Sequence, residues 1–111
     1  MDIIHNGVNV YGKPGEDLTF EVSGGIILTS GGGHDIFDVN SGFGQDTIVD
    51  FSSVQDVVRI DHNVFSDFSS VMAHTADNAQ GSAVISYDTN NTITLTGVST
   101  VNLHASNFQF V

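Results

Sequence analysis

The sequence predicts an all-β protein with short strands, tight turns and one small helix. The first forty residues are rich in glycine and hold brief β-type runs such as VNV, TFEV, IIL and IFDV, which predict short strands between turns. Later residues hold longer β-type runs, and one segment has helical spacing. A chain of 111 residues, 40% of them hydrophobic, can bury one modest core.

The glycine-rich segment shows a degenerate repeat of nine residues. The positions reached by stepping back in nines from Phe37 are apolar or β-branched: Leu28, Thr19 and Val10. At twice that spacing, Gly33 and Asp35 fall on Gly15 and Asp17. Such a repeat predicts coils that stack on one another and share a core.

The later elements follow in order along the chain. DTIVDF and DVVRID predict two strands with one buried face, separated by a turn around SSVQ. FSDFSSVMAHTA has apolar residues at helical spacing, and Ser66 is its expected N-cap. SAVISYDTNNTITLTGV predicts a hairpin that turns at Asn90 and Asn91. The closing NFQFV predicts a strand with Phe108 and Phe110 on one face.

The charge of the chain excludes several classes of partner. Thirteen acidic residues against Lys13 and Arg59 give a net charge of −11. This charge disfavours nucleic acid and anionic membrane surfaces, and a multivalent cation would relieve the self-repulsion. MDIIHNGVNVYG has no basic region and no long apolar run, so it predicts neither a signal peptide nor a membrane anchor. The chain has no cysteine, which excludes disulfides and thiolate metal sites.

No catalytic pattern is present, and we expect a protein that is not an enzyme. The serines lack a G-x-S-x-G elbow, and no pair of carboxylates is singled out for glycoside hydrolysis. The five histidines have no zinc-site spacing and are expected at the surface: His5, His34, His62, His74 and His104.

The stretch SGGGHD places three glycines ahead of Asp35 and predicts a calcium-binding turn. Glycine permits positive φ and close approach, so carbonyl oxygens can surround a small cation while aspartate adds an anionic oxygen. Calcium takes about six to eight oxygen ligands, more than one short turn supplies, so two stacked turns would share each ion. The alternative is that these residues form only a turn. The 18-residue echo and the downstream pattern favour calcium.

SGGGHDIFD resembles a terminal copy of the G-G-x-G-x-D-x-U-x nonapeptide of RTX (repeats-in-toxin) proteins, with Ser30 in place of the first glycine. GFGQDTIVDF, QDVVRID, LTGV and NFQFV are similar to the C-terminal capping region of that family. The resemblance covers nearly the whole chain from about Gly12, and most closely residues 30–111. It implies one folding unit: a short, degenerate parallel β-roll over residues 1–40 and a β-sandwich-like cap over residues 41–111.

The resemblance implies calcium between successive turns and a C-terminus that is read by a type I secretion system. By position it assigns these residues to calcium binding: Gly15, Asp17, Gly31, Gly33, Asp35, Gly42, Gly44 and Asp46. Asp50 and Asp56 either complete a site facing the Asp35 turn or are solvated turn acids. Ile26 stands where the intervening repeat would carry aspartate, so one or two ions are expected. The implied protein is a secreted, extracellular module, either a monomer or the end of a larger chain.

A second hypothesis is a carbohydrate-binding or adhesion module of a secreted polysaccharide-active protein. Polar alternating strands such as YDTNNTITLT could present a surface to sugars. Sugar rings stack on exposed aromatic faces, and Tyr11 and Tyr87 are the candidates for that role. A small free-standing hydrolase is a third hypothesis, which generic ester, peptide or glycan substrates would test.

Overall fold

The computed structural model describes residues 9–111. Its strands in that range are β1 (Asn9–Tyr11), β2 (Thr19–Glu21), β3 (Ile27–Thr29), β4 (Ile36–Val39), β5 (Gln45–Ile48), β6 (Val57–Ile60), β7 (Thr75–Asp77), β8 (Ala83–Asp88), β9 (Asn91–Leu95) and β10 (Phe108–Phe110). The helix α1 spans Phe68–Ala73, and two 3-10 helices span Thr100–Asn102 and Ala105–Asn107. The prediction for His5 lies outside the described residues.

The strands of this range form two sheets. One sheet has six strands in the order β1-β3-β5-β9-β8-β7, and the other has four in the order β10-β6-β4-β2. Every neighbouring pair is parallel except β9 with β8 and β8 with β7, which are antiparallel. The prediction of a mostly β protein with parallel strands and one short helix is therefore confirmed in this part of the chain.

Outside the segment of residues 61–90, successive strands alternate between the two sheets, so the chain winds as a coil. Each of four coil turns contributes one strand to each sheet: β1 and β2, β3 and β4, β5 and β6, and β9 and β10. Residues 61–90, which hold α1, β7 and β8, are inserted before the last coil turn. Strands β5 and β6 pair in register with β3 and β4, so the coil continues past residue 40. The later strands join the same two sheets, and a separate β-sandwich-like cap is not confirmed.

The core lies between the two sheets and is built from two rows of paired side chains. The six-stranded sheet contributes Val10, Leu28, Ile48 and Leu95. The four-stranded sheet contributes Phe20, Phe37, Val58 and Phe108. Burying one such side chain contributes roughly 1.5–3 kcal/mol. These rows, at most 6% exposed, hold the coil turns together.

The nine-residue repeat predicts two pairings at a separation of 18 residues, and one of them is observed. Val10 pairs with Leu28, 18 positions later, as expected. Phe37 pairs with Phe20 instead of Thr19. A shift of one residue would exchange the inward and outward faces of the strand. The observed register buries both phenylalanine rings, whose centroids lie 5.8 Å apart.

The inserted segment differs from the prediction in two details. The N-cap of α1 is Asp67, not Ser66, and its Oδ1 accepts from the backbone N–H of Ser70 at 2.8 Å. A carboxylate is at least as good an acceptor there as a hydroxyl. The hairpin turns at Thr89 and Asn90, because Asn91 already belongs to β9. No helix within residues 9–111 has the length and apolarity needed to span a bilayer.

Candidate metal centre

The turns of the coil form two columns, because turns that connect parallel strands in the same direction lie at the same side. The first turn column consists of residues 12–18, 30–35, 49–56 and 96–107, which lead from the six-stranded to the four-stranded sheet. The second turn column consists of residues 22–26 and 40–44, which lead back. The predicted site residues are divided between these two columns.

The three consecutive glycines let two turns of the first column come into backbone contact. Gly31, Gly32 and Gly33 all have positive φ, between +84° and +94°. A Cβ on Gly33 would lie 2.8 Å from the carbonyl oxygen of Glu16, whereas one on Gly32 would meet nothing within 4 Å. The N–H of Gly15 donates to the carbonyl of Gly31 at 2.9 Å. Glycine is thus favoured at all three positions by positive φ, and at Gly33 also by the close approach of the Glu16 carbonyl.

Two buried aspartates stack at successive levels of the first turn column. Asp35 Oδ1 accepts from the N–H of Leu18 at 3.0 Å. Asp56 Oδ1 accepts from the N–H of Asp35 at 2.9 Å, and its Oδ2 accepts from the N–H of Ser52 at 2.8 Å. Both side chains are at most 2% exposed. Each carboxylate therefore binds the backbone of the neighbouring turn.

Two further acids of the first column also bind backbone donors. Asp50 Oδ1 accepts from the N–H and the hydroxyl of Ser30, and its Oδ2 accepts from the N–H of Gly31 at 2.8 Å. Asp17 Oδ1 accepts from the N–H of His34 at 2.8 Å and is exposed. Asp17 therefore lies level with His34, and Asp35 lies level with Leu18. The 18-residue equivalence of Asp17 and Asp35 is off by one position, because the Phe20–Phe37 pairing sets the register here.

Asp46 is a buried acid on β5, beside the second turn column. Its Oδ1 accepts from the N–H groups of Gly25 and Ile26, both at 2.9 Å, and the residue is 2% exposed. Ile93 lies beside it on β9. Burial among apolar neighbours raises the pKa of Asp46 to about 6, against the lowering effect of the two backbone hydrogen bonds.

Negative charge is concentrated in the first turn column. Burial raises the pKa of Asp56 above its usual value, and the charges of Asp35 and Asp50 raise it further. Hydrogen bonds from the backbone of Ser52 and Asp35 oppose this rise. Acids that lie this close favour a bound cation or a proton.

Two buried carboxylate oxygens have no hydrogen-bond partner within the described chain. They are Asp35 Oδ2 in the first column and Asp46 Oδ2 beside the second. A buried polar atom without a partner costs about 1–3 kcal/mol, and more if it is charged. Among residues 9–111, no three His, Cys, Asp or Glu side chains are grouped closely enough to hold a metal. A calcium ion at either oxygen would need backbone carbonyls or water as its remaining ligands.

The predicted site residues are placed as follows. The first column holds Gly15, Asp17, Gly31, Gly33, Asp35, Asp50 and Asp56, and the second column holds Gly42 and Gly44 with Asp46 beside them. Asp35 and Asp46 therefore lie at different columns of the coil. Asp56 contacts Asp35 directly, as expected if it faced the Asp35 turn. The four histidines of the described range are exposed, as expected: His34, His62, His74 and His104.

The sequence does not point to two asparagines, one at each column, that bind the backbone of the preceding coil turn. Asn91 Oδ1 accepts from the N–H of Gly44 at 2.9 Å. Asn107 donates through Nδ2 to the carbonyls of Ser53 and Asp56, at 2.8 and 3.3 Å. Each lies about fifty positions from its partners, so no short-range pattern identifies it.

The chain matches no protein-family model and no curated protein sequence.

Proposed function

We propose that this chain is a calcium-binding module whose turn columns are stabilised by bound ions. The observation that carries the proposal is the pair of buried, unpartnered carboxylate oxygens, Asp35 Oδ2 and Asp46 Oδ2. Burying an ionised carboxylate is costly unless a partner compensates for the lost water. A divalent cation supplies that compensation and also relieves the repulsion among Asp35, Asp50 and Asp56.

A cation explains these groups better than hydrogen bonding alone. Asn91 uses a neutral amide oxygen to accept from the residue alongside it, Gly44. Asp46 makes the same kind of bond with one oxygen, and the second oxygen adds only a charge. A neutral amide would therefore be enough to bind the backbone here, and the charge of the Asp46 carboxylate is not needed for it. Calcium suits the site because it accepts irregular sets of carboxylate and carbonyl oxygens, whereas magnesium demands a stricter octahedron.

For the architecture we propose a short parallel β-roll that is closed by its last coil turn and the inserted segment. The alternation of strands between two sheets supports this proposal. So does the stacking of glycine turns directly on one another. The resemblance of SGGGHDIFD to the RTX nonapeptide agrees with both features.

Isothermal titration calorimetry on chelator-stripped protein tests calcium binding. We expect saturable heat with calcium and weaker heat with magnesium, and we expect Asp35→Asn and Asp46→Asn each to remove part of the calcium signal. Asp67→Asn is the matched control, because it removes one exposed charge at a helix N-cap where asparagine is equally suitable. Wild-type protein without calcium heat, or variants that match the control, would contradict the proposal.

We also propose, on the RTX resemblance, that the chain ends a larger secreted protein that leaves the cell by type I export. At low internal calcium the acidic turns would repel and the chain would stay loosely folded, whereas external calcium would favour folding. A passenger fused ahead of this chain should reach the medium only in cells with a type I exporter. Retention of the passenger in those cells would refute export, while the calorimetry would still decide calcium binding.

A further inference from the structure

The outer surface of the six-stranded sheet carries one charged side chain on five of its strands, Asp88 at the turn end of β8. We name this surface the neutral face, made of the outward residues of β1, β3, β5, β8 and β9. Leu28, Ile48 and Leu95 point into the core, so their neighbours along each strand point outward. Asp88 lies at the exposed end of β8 beside the hairpin turn, and apart from it no outward position of these strands holds Asp, Glu, Lys, Arg or His.

Away from Asp88, the neutral face is polar but uncharged, with apolar groups between hydroxyls. One cross-strand row consists of Ile27, Thr47, Thr94 and Val84. A second row begins with Tyr11 and Thr29. Tyr11 is 70% exposed and Ile27 is 46% exposed. Such a surface offers hydroxyl donors and acceptors, methyl groups and one aromatic ring within a small area.

The opposite sheet shows that this lack of charge is local. The outer surface of the four-stranded sheet carries a cross-strand row of Glu21, Asp38, Arg59 and Gln109. Arg59 donates to both carboxylate oxygens of Asp38, at 2.6 and 2.8 Å. A chain with thirteen acidic residues thus places only Asp88, at the turn end of β8, on the neutral face.

We propose that the neutral face binds an uncharged polysaccharide. Threonine hydroxyls can exchange hydrogen bonds with sugar hydroxyls, since each is both donor and acceptor. Ile27 and Val84, at opposite ends of the first row, can cover the apolar C–H faces of different sugar rings, and the exposed ring of Tyr11 can stack on a further one. This binding is separate from the proposed calcium sites, which lie in or beside the turn columns.

Charge and area favour this occupant over two others. The net charge of −11 repels anionic polymers, whereas a neutral polymer lying away from Asp88 meets no charge that binding would desolvate. Five strands at about 4.8 Å, with outward positions about 7 Å apart, offer roughly 300 Å². A stable protein dimer buries about 800 Å² on each partner. The face is therefore too small for a second copy of the chain, but a single polysaccharide strand needs only a narrow track.

Affinity electrophoresis of the folded chain tests this binding, with dextran, laminarin or hydroxyethyl cellulose in the gel and alginate as the anionic comparison. We expect retardation by at least one neutral polymer and none by alginate. Ile27→Lys should weaken retardation roughly tenfold, because it places a charge on the face, and Tyr11→Ala should weaken it less. Gln109→Lys adds the same charge to the opposite sheet and should have no effect. Thr94→Lys repeats the test at the centre of the face.

Several outcomes would overturn the proposal. Mobility unchanged in every neutral polymer would refute binding. Retardation that survives Ile27→Lys and Thr94→Lys in variants with normal circular dichroism would place binding elsewhere. Retardation by alginate as strong as by the neutral polymers would contradict the charge argument. A dimer in light scattering that Ile27→Lys dissociates would assign the face to a second copy.

Discussion

In both turn columns a side-chain oxygen accepts from a backbone N–H of the neighbouring turn, but the first column uses more charged side chains for this than the second. In the first column, Asp35 and Asp56 each accept from the residue level with them on the neighbouring turn. Beside the second column, Asp46 accepts from Ile26, the residue level with it. At the next coil turn, the neutral amide of Asn91 accepts from Gly44 in the same way. Parallel coils need a side-chain acceptor at this point because the last backbone donor of each turn, just ahead of the next strand, would otherwise lack a partner.

The difference shows which part of each aspartate is structural. One carboxylate oxygen binds the neighbouring turn, and an asparagine can do that equally well. The second oxygen is buried without a partner at Asp35 and Asp46, so it makes the calcium-free coil less stable. We infer that the negative charge is kept for a cation and not for the fold.

The largest expected effect is the loss of Asp50. Asp50→Ala leaves three donors of Ser30 and Gly31 without their acceptor, and we expect the unfolding free energy to fall by roughly 2–4 kcal/mol. Asn91→Ala is the comparison in the second column, since it leaves one backbone donor of Gly44, and it should cost about 1 kcal/mol. Urea denaturation measures both. Equal losses would mean that the first column is not held more strongly by its acids.

The pKa of Asp46 predicts how calcium-free stability depends on pH. Its pKa is about 6 in the folded chain against 3.8 when unperturbed, so the folded state binds the proton more tightly. The stability due to protonation is complete below about pH 4 and is lost as the pH rises through 6. The total is roughly 2–3 kcal/mol. The difference in unfolding free energy between wild type and Asp46→Asn should therefore change with pH, and a constant difference would contradict the burial argument.

Glycine substitutions separate conformation from contact in the first column. Gly32→Ala places a Cβ in open space at positive φ, and we expect a cost of about 1 kcal/mol. Gly33→Ala adds a clash with the carbonyl of Glu16, and the cost should rise to roughly 2–3 kcal/mol. Thermal melts compare the two variants. If their melting temperatures agree, the turns of this column are not in tight contact.

The smallest expected effect comes from adding a negative charge at Asn91, the neutral acceptor beside the second turn column. Asn91→Asp keeps the oxygen that binds Gly44 but loses the N–H that donates to Asp88 at 2.8 Å, and it sets two carboxylates together. Since this pair is exposed, we expect a loss of about 0.5 kcal/mol in chelator. A loss above about 2 kcal/mol, measured by urea denaturation, would mean that the neutral amide is essential there.

The sequence predicts the elements well because their signals are local. Glycine runs mark the turns, and alternation marks the strands. The Val10–Leu28 pairing follows from the repeat. The Phe20–Phe37 pairing does not, because burying two rings outweighs the repeat spacing.

The candidate site is less predictable because its contacts are long-range. The glycines and acids can be named from SGGGHD and its echoes, but their division between two columns depends on the sheet in which each strand lies. Asn91 reaches Gly44 only after the inserted segment has returned the chain to the sheet. The N-cap shows the same limit on a small scale, because the sequence predicts Ser66 and the structure has the adjacent Asp67 in that role.

The most direct test of the inference about charge compares Asp46→Asn with wild type in chelator and in millimolar calcium at neutral pH. In chelator we expect the variant to be more stable, by roughly 2–3 kcal/mol. In calcium we expect the wild type to close or reverse that gap, because a bound ion adds about 2.7 kcal/mol when its concentration is 100 times Kd. The same gap in both solutions would mean that the carboxylate of Asp46 holds no cation.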